Sequence, residues 1–269
     1  MKHLKLLVFL SLSAIFIAHC DPGKPKHADI PLREYSIQSV LWQQNAAEYR
    51  ALVYQSYNLA RLQLDNFLAD KKSQKGELAL VTDIDETVLD NSPFNGKLIE
   101  LDQPYSRNLW LEWGNLSQAD TIPGALEFFT YAADRGVEVY YISNRLTEQQ
   151  HVTIKNLQKF GFPFADKFHV LLRTGSSEKE SRRQNVLKTH QIILLLGDNL
   201  SDFSSLFDNQ GTENRNELVD SLKSEFGRRF IVFPNPMYGD WESKGIYEGR
   251  YDWSNRQLDS LRHARIKSY

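Results

Sequence analysis

The stretch "LALVTDIDETVLDNSP", residues 78–93, decides how this chain is read. An apolar run fit for the middle of a sheet ends abruptly in Asp83, Asp85, Glu86 and Asp90. Like charges that close repel, and a carboxylate without a partner is costly to desolvate. Either the segment is not a buried strand, or something positive sits at its mouth.

Working outward, four more short apolar runs read as strands, over 137–144, 168–173, 192–199 and 229–235, beside the first over 78–84. Helical patterns fill the gaps; "PGALEFFTYAADRG" carries Pro at its start and Gly at its end, as helix signals require. Strands alternating with helices predict an α/β fold, a parallel five-stranded sheet covered on both faces. Runs as apolar as "IILLL" fit strands buried on both sides. Residues 35–70, free of Gly and Pro, predict a long helical region with Trp42, Tyr49, Tyr54 and Tyr57 as core candidates. The chain divides into an N-terminal helical region (31–75), a core (76–240) and a C-terminal segment (241–269) expected to pack with the N-terminal helices as a smaller helical subdomain.

Ligands of open parallel sheets bind at the carboxyl ends of the strands, near a switch in strand order. Three expected strands end in polar chemistry: Asp83 and Asp85, Ser143-Asn144, and Gly197-Asp198-Asn199. Alternate strand residues share a face, so Asp83 and Asp85 can address one cleft, joined by Asp198 and Asp202. Clustered carboxylates are hard ligands suited to Mg²⁺, and no Cys/His spacing for zinc is present. A cation resolves the repulsion at the strand mouth.

The rest of the chain bounds the setting. A formal net charge of −2, with no basic run, argues against a nucleic-acid polymer as partner. Residues 1–19 have a Lys-bearing start (Lys2, Lys5) and an apolar run from 6 to 18, shorter than the roughly 20 residues of a membrane span. That is the layout of a signal peptide and implies export. Cys20, the only cysteine, excludes an intrachain disulfide. It sits where "Ile-Ala-His-Cys" resembles the bacterial lipobox, although His19 stands in place of a small residue. Residues 20–30 then read as a tether for a lipid anchor; an unlipidated periplasmic form is the alternative.

The ordered set of motifs carries a family resemblance. Asp83-Ile84-Asp85-Glu86-Thr87 resembles the DxDxT motif of the haloacid dehalogenase (HAD) superfamily of phosphatases. Ser143-Asn144 resembles its second motif, Lys179-Glu180-Ser181-Arg182 its third, and Gly197 to Phe203 its acidic fourth. "DIDETVLDNSPF", "WQQNAAEYRALVYQSYN", "GDNLSDF" and "FPNPMYGDWE" together resemble the bacterial class C acid phosphatases of the lipoprotein e type. The resemblance implies a HAD-like Rossmannoid sheet and Mg²⁺-dependent hydrolysis of phosphomonoesters, with nucleoside 5′-monophosphates or nicotinamide mononucleotide as substrates. It assigns Asp83 as nucleophile and Asp85 as general acid and base. The metal falls to Asp83, the backbone carbonyl of Asp85, and Asp198, with Asp202 on metal-bound water. Lys179 offsets charge, and Ser143 and Asn144 bind phosphate.

Other residues carry smaller expectations. Thr87 is expected to bond locally, Glu86 and Asp90 to fix the turn, and Arg182 to orient a carboxylate or cover its helix. Trp110, Trp113 and Tyr238 are candidate stacking surfaces, with closure of the core as the alternative for each. With about 60 residues between the first motif and Ser143, a large cap is not expected, and a helix and a long loop fill the interval. A homodimer is left open. Two rivals remain: a phospho-acceptor signalling domain, disfavoured by Asp85 and by export, and a non-catalytic phosphate-binding lipoprotein, disfavoured by the presence of Asp83.

Overall fold

The computed structural model describes residues 31–269, so the expected signal peptide, Cys20 and its tether lie outside the described residues. Among the described residues, no helix is long and apolar enough to cross a membrane. In chain order the elements are α1 (Ile37–Asn45), α2 (Ala47–Ala69), β1 (Glu77–Thr82), β2 (Leu89–Asp90), α3 (Ser92–Leu101), α4 (Arg107–Leu116), β3 (Asp120–Thr121) and α5 (Ala125–Ala133). There follow β4 (Val137–Leu146), α6 (Gln150–Phe160), β5 (Val170–Arg173), α7 (Glu180–Leu187), β6 (His190–Gly197), α8 (Thr212–Ser221), β7 (Phe230–Val232) and α9 (Asn255–Arg265).

Five parallel strands form one sheet in the order β5-β4-β1-β6-β7, as the alternation of strands and helices predicts. The chain runs outward from β1 to β4 and β5, then returns to β6 on the other side of β1. The strand order therefore reverses at β1, and a crevice opens at its carboxyl end. Successive β1 residues serve opposite faces. Leu78 and Leu80 join the larger core with Val53, Leu64 and Phe129, whereas Ala79 and Val81 join a smaller one with Val186 and Phe203. Both faces are covered, which accounts for strands that read as unbroken apolar runs.

The helical region expected over 35–70 consists of two helices. Ala46 is extended (φ −76, ψ 126) and separates α1 from α2. No Gly or Pro marks the break; tertiary demands impose it. Gln43, buried at the end of α1, donates from Nε2 to Asp90 Oδ1 at 3.2 Å, while Trp42 packs edge-on against Tyr49 at 5.6 Å. α2 lays Val53, Tyr57, Ala60 and Leu64 along the sheet at helical spacing. Truncating Leu64, fully buried, to Ala is expected to cost roughly 2–5 kcal/mol. Tyr54 stands off that stripe and is exposed, unlike the core role expected for it.

The interval between β1 and β4 also differs from expectation. It holds three helices, α3, α4 and α5, and a short antiparallel pairing of β2 with β3, rather than one helix and a loop. Ser106 caps α4 by accepting from Leu109 N at 3.2 Å, and Pro93 sits in the first turn of α3, where a missing N–H costs nothing. After β7, a π-helical turn (Trp241–Ile246) leads to α9, whose Arg262 guanidinium lies 3.6 Å from the Tyr35 ring centroid.

Candidate active site

The carboxyl ends of β1, β4 and β6 converge as their sequence endings imply. Asp83 follows β1 and continues its ladder, donating from N to Leu196 O at 2.9 Å. One oxygen from each of Asp83, Asp198 and Asp202 falls within 4.8 Å of the others. Gly197 makes this approach feasible, because a Cβ there would collide with the Asp202 side chain. Asp202 is held by Asn199 N, which donates to Oδ2 at 3.0 Å, and Asp198 by Asn235 Nδ2, which donates to Oδ2 at 2.8 Å.

Lys179, the residue preceding α7, is buried and places Nζ against Asp83 Oδ1 and, at 2.6 Å, Asp202 Oδ1. Burial opposes its charge, but Asp202 and Asp83 prevail and raise its pKa above the usual lysine range. One ammonium cannot balance three carboxylates. Burial, with Asp202 and Asp85 adding to it, pushes Asp83 up to about 7 although Lys179 pulls the other way. Asp198 is likewise raised well above the carboxylate range, first by burial and then by Asp202 and Asp83. The set keeps two uncompensated negative charges when fully ionised, the charge of one divalent cation. Hard oxygen donors of that number and charge fit such an ion. The positive partner that the acidic strand mouth demands is thus Lys179 in part, with room for a cation.

Asp85 is separated from this cluster by its own partners. Arg145 Nε donates to Asp85 Oδ1 at 2.9 Å, with Nη2 at 2.8 Å from the same oxygen, and Asn91 Nδ2 donates there at 2.8 Å. Ser143 Oγ donates to Asp85 Oδ2 at 3.2 Å. Ser143 therefore serves Asp85 in this structure, whereas Asn144 lines the cavity. Sequence reasoning missed Arg145, Asn91 and Asn235. Alternation along β4 puts residue 145 on the face of Ser143, and Asn235 follows the carboxyl end of β7, so both positions carried a signal.

The first loop is rigid by construction. Glu86 takes the left-handed conformation (φ 59), uncommon for a residue with a side chain, and is fully buried. Its Oε1 accepts from Asn91 N at 2.7 Å, its Oε2 accepts from the Tyr238 hydroxyl, and burial raises its pKa well above normal. Asp90 accepts from Ser92 N at 2.8 Å and Ser92 Oγ at 3.0 Å. Both acids thus hold the turn. Thr87 differs from expectation: its hydroxyl is buried without a hydrogen-bond partner among the described residues, and its carbonyl instead accepts from Tyr57. Arg182 neither orients a carboxylate nor simply covers a helix. It donates to Ser143 O at 2.6 Å and Asn144 Oδ1 at 2.8 Å, fixing the end of β4.

A cavity of about 580 Å³ opens above Asp83, Asp85, Asp198 and Lys179. Trp110 and Tyr238 line it, with Phe94 and Tyr105 from the α3–α4 region. Phe94 and Trp110 pack edge to face at 5.0 Å. Trp113 does not reach the cavity. It is partly buried against the core and donates from Nε1 to Asn91 Oδ1 at 2.8 Å, which corrects its candidacy as a stacking surface.

An acidic triad with a buried lysine, at the switch point of a five-stranded parallel sheet, defines a class of protein, and the comparisons agree on which. The family described as HAD superfamily, subfamily IIIB (Acid phosphatase) matches residues 25–241, and the chain belongs to that family. Within it the likeness is to class C: a class C acid phosphatase from Bacillus anthracis is 43% identical, with a TM-score of 0.85 over 89% of this chain and 100% of the other. A second structure of that enzyme, with tungstate bound, is 42% identical at a TM-score of 0.84. More distant are a stem 31 kDa glycoprotein of Glycine max, 26% identical over 178 residues, and a class B acid phosphatase of Xenorhabdus bovienii, 29% identical over 138 residues. The chain spans 63% and 57% of the lengths of those two relatives.

Proposed function

We propose that the chain hydrolyses phosphomonoesters through an aspartyl-phosphate on Asp83. The observation that carries this reading is the pairing of Asp83, buried against Lys179, with Asp85, fixed two residues on by Arg145, Asn91 and Ser143, both opening on one cavity. An Asp83 carboxylate oxygen attacks phosphorus as the bond from phosphorus to the leaving oxygen breaks, and Asp85 delivers a proton to that oxygen. Water then attacks phosphorus, Asp85 takes its proton, and the bond to Asp83 breaks, restoring the carboxylate. Lys179 lowers the charge that a phosphoryl group meets beside Asp83. Asp83, Asp198 and Asp202, with the Asp85 carbonyl, would hold a divalent metal, Mg²⁺ in this reading. Bound there, the metal would neutralise phosphate oxygens and orient them. That the Bacillus anthracis relative has been solved with tungstate bound, a tetrahedral oxyanion like phosphate, supports a phosphate-like ligand for this chain.

The aromatic wall of Trp110, Tyr238, Phe94 and Tyr105 suits a leaving group with a flat ring, hence nucleoside 5′-monophosphates or nicotinamide mononucleotide. Export through residues 1–19 and lipidation of Cys20 complete the reading, checked by radiolabelled palmitate incorporation into wild type and Cys20→Ser. The deciding experiment is phosphate release from p-nitrophenyl phosphate from about pH 4 to 8, with Mg²⁺ or EDTA. Turnover that needs metal and disappears in Asp83→Asn and Asp85→Asn supports the proposal; a folded, metal-loaded wild type without turnover overturns it in favour of a phosphate-binding lipoprotein.

A further inference from the structure

The opposite end of the sheet holds a second cluster that phosphoryl chemistry does not use. Glu77 opens β1 and His190 opens β6, paired in register, and Glu138 lies one residue into β4. Ligand atoms of these three fall within 4.8 Å of one another. His190 Nε2 lies 3.1 Å from Glu138 Oε2 and 3.4 Å from Glu77 Oε2. His169, just before β5, brings its own Nε2 to 3.1 Å from the same Glu138 oxygen. Three parallel strands, and the approach to a fourth, thus contribute to one cluster around Glu138.

The imidazoles are oriented as metal ligands are. His169 Nδ1 lies 2.9 Å from Asp166 Oδ1 and 3.0 Å from Oδ2, the carboxylate contact that turns Nε2 of a ligating histidine outward as a lone pair. Thr189 Oγ1 lies 2.8 Å from His190 Nδ1 and donates to Val186 O at 3.3 Å, which leaves its oxygen to accept from the second ring. His190 is buried, and its Nε2 has no hydrogen-bond partner among the described residues although two carboxylates flank it. A lone pair facing carboxylate oxygens is repulsive unless a proton or a metal stands between them. Zinc bond lengths of about 2.0–2.1 Å place tetrahedral ligand atoms roughly 3.3 Å apart, and the distances at His190 bracket that value. Tyr140 closes the cluster, its hydroxyl 3.3 Å from Glu138 Oε2 and its ring 4.8 Å and 5.3 Å from those of His169 and His190.

We propose that Glu77, Glu138, His169 and His190 form a binding site for a divalent transition-metal cation of the zinc type, separate from the acidic triad. Mixed imidazole and carboxylate donors select such an ion over Mg²⁺, which the all-oxygen triad suits. Bound there, the metal clips the amino ends of β1, β4, β5 and β6 together and stabilises the sheet without touching substrate.

The test is equilibrium titration of the metal-free full chain with Zn²⁺, alone and in excess Mg²⁺, alongside thermal melts. One equivalent of Zn²⁺ that excess Mg²⁺ does not displace, with a raised Tm, is the expected result. Glu77→Gln, an isosteric change at an exposed side chain, and His190→Gln should each weaken that equivalent at least tenfold, while Asp198→Asn leaves it intact. Mg²⁺-supported turnover should stay within twofold in Glu77→Gln. Zn²⁺ binding lost only in Asp198→Asn, or unchanged in both Glu77→Gln and His190→Gln, overturns the proposal. No saturable Zn²⁺ binding in wild type also overturns it.

Discussion

The two ends of the sheet solve one problem in different ways. Each gathers acids from adjacent parallel strands. At the carboxyl end, Asp83, Asp198 and Asp202 are met by an ammonium that arrives from α7, some hundred residues along the chain, and a cavity leaves space for substrate. At the amino end, Glu77 and Glu138 are met by His190 and His169, side chains on the strands and their approaches, and Tyr140 covers the group. The first arrangement keeps groups poised for chemistry, the second holds strands in place. Burial of charge alone does not distinguish them; the cavity and the kind of counter-charge do.

The largest effect that could break this contrast is loss of the proposed nucleophile. Asp83→Asn is expected to lower turnover at least about 10⁴-fold, measured as phosphate release. A comparable loss in Glu138→Gln, with the fold intact by circular dichroism, would erase the distinction between the two ends. Next is the position of Asp85. Arg145→Lys keeps the charge but gives up the paired contact on Asp85 Oδ1, and about 10²-fold in kcat should follow from misplacement. KM should change far less, which separates positioning from substrate binding.

Stability against pH sharpens the electrostatic part. Asp83 has a folded pKa of about 7 against its ordinary 3.8, so the folded chain binds a proton that the unfolded chain releases. The raised value means that stability from this group is present below about pH 4 and is lost as pH rises towards 7. Asp198, raised for the same reason, adds in the same direction, whereas Lys179, raised above the usual lysine range, stays charged across the window. Urea melts of metal-free protein should therefore show falling stability from about pH 4 to 7. The slope should be shallower in Asp83→Asn and after addition of Mg²⁺, which favours the ionised carboxylates.

Two smaller substitutions probe the supports. Gly197→Ala forces a Cβ against Asp202 and should cost roughly 1–3 kcal/mol, with weaker Mg²⁺ binding in titration. Trp113→Phe removes the hydrogen bond to Asn91 and should cost about 0.5–1.5 kcal/mol. KM for a nucleotide should stay unchanged, in contrast to Trp110→Ala, which alters the cavity wall.

The sheet, its parallel sense and the acidic endings of β1 and β6 were legible in the sequence, because period and composition are local properties. Asp83, Asp198 and Asp202 could be named for the same reason, since strand endings announce themselves within a few residues; Lys179 could be named through the family resemblance. The break at Ala46 could not, since nothing in "WQQNAAEY" disfavours helix; the buried Gln43 and its bond to Asp90 require it. Nor could the divergence of two tryptophans three residues apart. Trp110 faces the cavity and Trp113 faces Asn91, a choice made by where α4 lies against the first loop.

The sequence by itself therefore determined the α/β class, the five strands of its parallel sheet, and which acids stand at strand ends. Tertiary structure alone decided who neutralises whom. Lys179 reaches Asp83 across 96 positions and Arg145 reaches Asp85 across 60, while His169 and His190 meet at Glu138 from separate strands. Pairing of charges depends on distance and on burial, and both are properties of the packed chain that no local pattern encodes.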